Sequence, residues 1–255
     1  MNPFTVGMIV FGFTLGGALF ANWLRAALPE HHLDDESRDT VKLGIGLIAT
    51  MTALVLGLVT ASAKSSFDAV DTAMKHTAVD VLTLDRLLAR YGPETAELRG
   101  ALQKAVANRI DAISPEFSSG RADPDPMRSG AAAGSENLAD AIQLLTPRDD
   151  LQRSLQSRAR DLAEEILQAR WLVFAGVGSS VPLPFITILV FWLTVTFGSF
   201  GLFAPRNGTV FVVLFVCAVS VGSAVFLILE LDGPFEGFLK VSVEPMRYAL
   251  ASMNH

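Results

Sequence analysis

Hydroxyl-bearing and small side chains recur along an uncharged stretch of the chain, in a pattern that suits the passage of ions through a membrane. The stretch lies between Lys42 and Lys64 and contains no charged residue. Within it, the hydroxyls of Thr50 and Thr60 can partly replace the hydration shell of an ion, and Gly57 leaves room beside them. In a ring of several copies, Lys64 would attract anions to one end. These four residues (Thr50, Gly57, Thr60 and Lys64) are the candidate pore-lining residues.

Three carboxylates, Glu230, Asp232 and Glu236, follow the last apolar run and form a candidate ion-binding site. Ionisable groups at the end of a membrane span either reach water or meet a partner. One interpretation is a helix stop reinforced by Gly233-Pro234. The other is a cation site or an ion pair, although the spacing does not match an EF-hand loop. The candidate basic partners are Lys64, Arg170 and Arg206.

A polar segment at residues 29–39 contains a weaker candidate metal site, formed by His31, His32 and Asp34. Imidazole and carboxylate groups are ligands of divalent ions. Adjacent histidines lack the i,i+4 geometry of helical metal sites, so a solvated loop is the simpler interpretation. A divalent cation is the one possible cofactor that the sequence indicates.

Small residues recur every fourth position in the same uncharged stretch, at Ala49, Ala53, Gly57 and Ala61. In lipid, such rows allow helix backbones to approach closely. Two interpretations remain open. The row forms a packing seam inside a helix bundle, or it faces a pore.

Four apolar runs are long enough to cross a hydrocarbon core as helices, which takes about 20 residues each. The composition agrees, since 51% of the residues are hydrophobic and only 18% are charged. We therefore predict an all-α membrane protein with four transmembrane helices per subunit and a cytoplasmic helical domain inserted between spans 2 and 3. The runs are Met1–Leu24, Lys42–Lys64, Leu183–Phe203 and Thr209–Leu229.

The charged part of the chain between the second and third runs shows apolar residues at helical spacing. Gly92-Pro93 should end one helix, and Thr146 should cap another. Residues 114–134, rich in Pro, Gly, Ser and Ala, should be a flexible loop. Trp171–Val181 should be a bend or an interfacial segment, because Pro182 and Pro184 should break the apolar run that follows it. The predicted divisions are residues 1–63 (spans 1 and 2), 64–170 (cytoplasmic domain), 171–231 (spans 3 and 4) and 232–255 (cytoplasmic amphipathic tail).

The distribution of basic residues predicts the orientation. Four spans place both termini and the soluble domain on one side, and that side carries more Lys and Arg near the membrane. We therefore expect both termini and the soluble domain to be cytoplasmic. The net charge of −6 argues against nucleic acid as a partner.

The sequence contains none of the motifs that indicate an enzyme. It has no phosphate-binding loop, dinucleotide fingerprint, nucleophile elbow or HExxH motif. The single cysteine, Cys217, excludes an internal disulfide, and its apolar surroundings predict a small buried side chain.

Three stretches resemble a bacterial membrane family labelled bestrophin-like: LPEHHLDDESRDTVKLGIGLIATMTALVLGLVTASAKSSFD, TFGSFGLFAPRNGT and LILELDGPFEGFLKVSVEP. The resemblance implies the plan of bestrophins, which are pentameric anion channels with four spans, a cytoplasmic helical domain and a pore along the second span. It also implies an acidic calcium site after the last span, where Glu230 and Asp232 lie. Bestrophins narrow the pore with aromatic and aliphatic rings, but no aromatic residue lies between Leu43 and Ala63 here.

Two functions follow as hypotheses. The first is an oligomeric ion channel whose pore is lined by the second span, with the bilayer, other copies of the chain (five, from the resemblance) and inorganic ions as partners. The second is a non-conducting membrane scaffold or signalling protein whose soluble helices bind a partner.

Overall fold

The computed structural model describes residues 2–25, 35–113, 138–176, 183–203, 205, 207–235 and 237–253. Within these residues the chain forms α-helices and short turns, with no β-strand. A 3₁₀ turn lies at Pro93–Thr95, and residues 138–143 are also helical. The longer helices are α1 (Pro3–Leu24), α2 (Asp35–Tyr91), α3 (Ala96–Ile113), α4 (Asp150–Gly176), α5 (Leu183–Phe203), α6 (Gly208–Asp232) and α7 (Glu244–Met253).

The contacts divide the chain into two compact units. The apolar unit comprises Met1–Phe67 and Ser179–Lys240, and the polar unit comprises Asp68–Gly178 and Val241–His255. The boundary between Phe67 and Asp68 falls inside α2, which is one continuous helix of 57 residues. The predicted second span and the helix predicted to follow it are therefore a single element.

Four of the described helices, α1, α2, α5 and α6, are long and apolar enough to cross a membrane. This confirms the predicted class of an all-helical protein with four apolar helices. The bounds of α5 agree with the predicted third run, Leu183–Phe203. The last apolar helix begins one residue before the predicted Thr209 and continues to Asp232, three residues beyond Leu229.

The apolar unit is built around α1, which packs against both α5 and α6. Glycines allow the close approach: a Cβ on Gly7 would lie 3.1 Å from the carbonyl oxygen of Gly222, and one on Gly222 would lie 3.0 Å from that of Gly7. A Cβ on Gly17 would lie 2.9 Å from Cγ2 of Thr194 on α5. Without side chains, the helix backbones come into van der Waals contact, which is how helices associate in lipid.

The end of α2 in the polar unit is fixed by local hydrogen bonds. Gly92 has φ +142°, a conformation that side chains rarely adopt, so it ends the helix as the sequence predicted. The hydroxyl of Thr95 then donates to the carbonyl oxygens of Leu88 and Gly92 at 2.6 and 2.8 Å. These bonds satisfy carbonyls that the helix end would otherwise leave open.

Two glutamines on α4 bind the ends of other helices in the polar unit. The side-chain amide of Gln152 donates to the carbonyl oxygen of Tyr91, the last residue of α2, at 2.9 Å. One turn later, Gln156 donates to the carbonyl oxygens of Ile142 and Leu145 at 2.9 and 2.8 Å. Both amides therefore satisfy carbonyl oxygens at the ends of helices. This is a form of capping by a distant side chain.

The beginning of α4 corrects one prediction. Its N-cap is Asp149 and not Thr146, because the Asp149 carboxylate accepts from the backbone N–H of Gln152 at 2.6 Å. The helix continues through Trp171 to Gly176, so the first part of the segment predicted as a bend or an interfacial segment is helical. Residues 177–182 lie outside the described residues. The predicted flexible loop, residues 114–134, lies outside the described residues.

The amphipathic tail forms α7, which packs on α3 within the polar unit. Its apolar residues Met246, Ala249 and Met253 are buried. The side-chain amide of Gln103 on α3 donates to the carbonyl oxygen of Met253 at 3.1 Å, and this bond holds the last turn of the helix.

Candidate functional site

The apolar part of α2 has a buried face and an exposed face. Val59, Ala63 and Ile228 form a buried apolar cluster, which joins α2 to α6. Residues four apart lie on the same side of a helix, so Val59 and Ala63 define the inward face. Thr50, Gly57 and Lys64 are exposed and lie about half a turn away around the axis. Three of the four candidate pore-lining residues thus share the face that points away from the rest of the unit.

The hydroxyls of the two candidate threonines donate their protons to the helix itself. Thr50 donates to the carbonyl oxygen of Leu47 at 2.8 Å, and Thr60 donates to that of Leu56 at 2.7 Å. A hydroxyl has one proton and two lone pairs, so each oxygen keeps its acceptor capacity. Thr60 is half-buried and lies between the two faces. Both side chains are therefore polar without placing a fixed charge in the apolar stretch.

The row of small residues does not form a packing seam within the described part of one chain. Ala53, Gly57 and Ala61 are exposed, and a Cβ added to Gly57 would meet no described atom within 4 Å. Ala49 is half-buried and lines a cleft beside α5 and α6. The other exposed side of α2 carries large side chains, Leu47, Leu54 and Leu58, with 64%, 72% and 64% of their surface exposed.

Lys64 lies at the end of this stretch, beside an aromatic ring. Its ammonium nitrogen is 5.6 Å from the centroid of the Phe67 ring, within the range of a cation–π contact. The lysine is exposed, so such a contact contributes only about 0.5–1 kcal/mol. The side chain of Lys64 therefore lies at the exposed surface beside the ring.

Glu230, the first candidate carboxylate, is buried and binds backbone N–H groups. It is 4% exposed, and its Oε2 accepts from the N–H of Phe238 at 2.7 Å and from that of Leu239 at 3.3 Å. Gly237, with φ +81°, lies so close that an added Cβ would collide with the carboxylate. Glu230 thus folds the segment after α6 back onto the end of that helix.

The geometry around Glu230 favours the interpretation as a helix stop. A carboxylate that accepts two backbone N–H groups has fewer lone pairs left for an ion. Asp232 is half-buried two residues later, and Glu236 lies outside the described residues. Of the three proposed basic partners, the side chains of Arg170 and Arg206 are also outside the described part. The described hydrogen bonds of Glu230 come from backbone N–H groups and not from Lys64.

The candidate metal ligands His31, His32 and Asp34 lie outside the described residues, so their arrangement stays a prediction. Among the residues that the structure describes, no group of three His, Cys, Asp or Glu side chains is placed to hold a metal ion.

The predicted burial of Cys217 is wrong. The cysteine is exposed, because the close contacts of α6 with α1 run along Ala218 and Gly222, which lie on another side of the helix. The surrounding apolar residues misled the prediction, since a membrane helix is apolar on its outer face as well.

The fold and these sites define an all-helical membrane protein with four apolar helices and a second, more polar helical unit. The chain belongs to the bestrophin-like family. The family model described as Bestrophin-like domain matches residues 12–246, which confirms the resemblance seen in the sequence.

Solved structures share the fold. A bacterial bestrophin homologue from Klebsiella pneumoniae, crystallised with a point mutation, gives a TM-score of 0.66 at 13% identity over 98% of this chain and 99% of that one. A second mutant described in the same words gives 0.64 at 13% identity, over 95% and 97%. A crystal structure of a membrane-protein variant gives 0.62 at 14% identity, over 97% of both chains. No curated protein matches the sequence.

Proposed function

We propose that the chain assembles into an oligomeric ion channel of the bacterial inner membrane, with α2 lining the pore. Membership of the bestrophin-like family supports a channel, because bestrophins themselves conduct ions. The proposal adds that the channel is an oligomer and names the residues that line its pore. The resemblance implies five copies of the chain.

The observation that carries the proposal is the exposed polar face of α2. Thr50 and Gly57 lie on an exposed side of the helix, and Lys64 lies on the same side at its end. A Cβ added to Gly57 would meet no described atom within 4 Å. A ring of such helices would surround a space lined by hydroxyls and small side chains. That lining lets an ion pass without a fixed charge at the membrane centre.

The orientation follows from the basic residues. We propose that both termini and the polar unit are cytoplasmic, so that Lys64 lies at the cytoplasmic mouth of the pore. In the oligomer, Lys64 would recur around the axis and raise the local concentration of anions.

The proposal is tested by recording from the purified full-length protein in planar bilayers under a salt gradient. Wild type should conduct, and Lys64→Glu should move the reversal potential toward that of cations. Lys104→Glu, a change of the same charge at an exposed lysine on α3, is the matched control and should leave the reversal potential unchanged. An unchanged value in Lys64→Glu would remove Lys64 from the pathway.

The alternative is a non-conducting scaffold or signalling protein. An observation in the polar unit supports this alternative. Leu144, Leu151 and Tyr248 expose 80%, 67% and 73% of their surface, which suits a contact with another protein. The absence of current from folded wild-type protein, across voltages and calcium concentrations, would favour this second function.

A further inference from the structure

An apolar cleft of about 550 Å³ lies between α2, α5 and α6 in the apolar unit. Gly46 and Ala49 form its wall on α2, Phe200 lines it from α5, and Val213 lines it from α6. Its volume is within the range of about 300–1,000 Å³ that is usual for ligand pockets. The cleft exists because the small side chains on α2 leave space between the three helices, and a Cβ on Gly46 would meet no described atom within 4 Å.

Such a cleft in a membrane is filled by an apolar group. Water is a poor occupant, because an apolar wall offers it too few hydrogen-bond partners. An empty cleft would cost the wall its van der Waals contacts. The lining therefore requires a hydrocarbon group, supplied by a lipid or by another protein chain.

One cationic side chain lies at the polar end of the cleft. Lys42, which ends the uncharged stretch, lines it there. The lysine is paired with Asp39 at 2.9 Å, but both side chains are more than half exposed, and pairs of that kind are weak enough to exchange. Thr209 and Val210 in the first turn of α6 also line the cleft.

The first turn of α6 adds a second source of positive potential. The side chain of its N-cap residue, Asn207, makes no capping hydrogen bond. The N–H groups of an uncapped first turn point outward, and the helix dipole places partial positive charge there. Helix N-termini of this kind bind phosphate groups. An apolar body with a cationic end matches the shape and charge of an anionic amphiphile.

We infer that this cleft binds an anionic phospholipid of the surrounding bilayer, with one acyl chain between the helices and the phosphate at Lys42 and the first turn of α6. A neighbouring copy of the chain fits the charge less well. Under rotation about the membrane normal it brings a Lys42–Asp39 pair without net charge to this height, whereas a phospholipid brings a phosphate whose net negative charge Lys42 can bind by leaving Asp39. This lipid site is independent of whether the protein conducts ions.

The test is native mass spectrometry of the purified full-length protein in mild detergent, with phosphatidylglycerol and phosphatidylcholine of the same acyl chains. We expect wild type to retain phosphatidylglycerol in preference to phosphatidylcholine. Lys42→Gln should weaken this preference about fivefold, the effect of removing one lysine beside an anionic headgroup. Gly46→Leu should place a large side chain in the cleft and reduce retention of the lipid.

Each variant has a matched control on α2. Gly44→Leu makes the same change at another glycine with open space around it, two residues away and outside the cleft. Lys75→Gln removes another exposed lysine that is paired with an aspartate and does not line the cleft. Both controls should retain phosphatidylglycerol as wild type does.

Two results would overturn the inference. Equal retention of both lipids by wild type and Lys42→Gln would show that the charged end does not select a headgroup. A change of oligomeric mass in Gly46→Leu, without a change in bound lipid, would show that the occupant is a second copy of the chain. Lys42→Gln alters only an exposed side chain, so it decides the question even if the leucine variant fails to fold.

Discussion

Arg99 holds Asp85 with two parallel hydrogen bonds, from Nε to Oδ1 at 2.7 Å and from Nη2 to Oδ2 at 3.0 Å. Asp85 belongs to α2 and is 1% exposed, whereas Arg99 belongs to α3 and is about one-third exposed. The hydrogen bond to Asp85 raises the pKa of the Arg99 guanidinium above its already high ordinary value, so the arginine stays charged. The same guanidinium lies 3.5 Å from the carbonyl oxygen of Met253 at the end of α7. One arginine therefore links the helices of the polar unit.

Replacing this arginine should destabilise the polar unit strongly. Arg99→Ala leaves the buried Asp85 carboxylate without its charged partner, which we expect to cost about 3 kcal/mol of unfolding free energy. Thermal unfolding of the full-length protein, followed by circular dichroism, measures the effect.

The control for this prediction is Arg153→Ala. Arg153 is also paired with an aspartate, Asp150, but 67% and 95% of the two side chains are exposed. That pair should contribute at most about 1 kcal/mol. Equal losses in the two variants would contradict the role given to the burial of Asp85.

Glu230→Gln tests whether the buried carboxylate is a structural acceptor or an ion ligand. The amide keeps one acceptor oxygen but loses the charge and places an N–H₂ group near backbone donors. We expect a loss of about 1–3 kcal/mol of unfolding free energy. The unfolding midpoint should be the same with and without calcium for both proteins, because Oε2 of the carboxylate already accepts the N–H groups of Phe238 and Leu239.

Asp232→Asn is the control for Glu230→Gln, because it changes a less buried carboxylate two residues away. Asp232→Asn should lower the unfolding midpoint less than Glu230→Gln does. If calcium raised the midpoint of wild type and this rise were lost in Glu230→Gln, the carboxylate would be a metal ligand and the assignment as a helix stop would be wrong.

Gly57→Leu tests assembly around α2. In one chain the substitution meets open space, so it should not disturb folding. In an oligomer with close contacts along the small-residue row, the leucine would overpack the interface at a cost of about 1–3 kcal/mol for each contact. Native mass spectrometry in mild detergent should show an oligomer for wild type and smaller species for the variant.

Gly44→Leu is again the matched control for assembly, since it adds the same side chain to α2 outside the small-residue row. A monomeric wild type would exclude the proposed oligomer. An unchanged oligomeric mass in Gly57→Leu would place the row outside the subunit contacts.

Cysteine labelling tests the proposed orientation. In a variant in which Cys217 is replaced, single cysteines at Ser118 and Asn207 should react differently with a membrane-impermeant maleimide in intact cells. Asn207 lies in the turn before α6 and should react from outside, whereas Ser118 should react only after lysis. Reaction of Ser118 from outside would reverse the orientation.

Local signals in the sequence predicted the helices well. The Gly92-Pro93 break and the bounds of α5 depend on nearby residues, and the structure confirms both. The prediction for Trp171–Val181 has the same origin, because it depended on Pro182 and Pro184, whereas the described residues 171–176 continue the helix. Apolar periodicity also could not show that α2 continues unbroken into the polar unit.

The contacts that define the candidate sites were harder to predict, because they join residues far apart in the chain. The pairing of Arg99 with Asp85 spans 14 positions, and the bond from Gln103 to Met253 spans 150. The sequence marked Glu230 as unusual, but only the positive φ of Gly237 shows why the chain turns back to it. The placement of Thr50 and Gly57 on one exposed face could be expected from helical spacing, whereas the cleft at Gly46 depends on three separate helices.

The contact between Gly7 and Gly222 also constrains how this gene can vary. Every single-nucleotide change in a glycine codon that alters the amino acid adds at least a Cβ, and at either position that atom would lie about 3 Å from the opposite carbonyl oxygen. Neither codon can change alone unless the backbone of the facing helix moves by a few tenths of an ångström. Nucleotide substitutions in these two codons should therefore be almost entirely synonymous. At the exposed lipid-facing positions of the same two helices, one apolar residue should replace another freely.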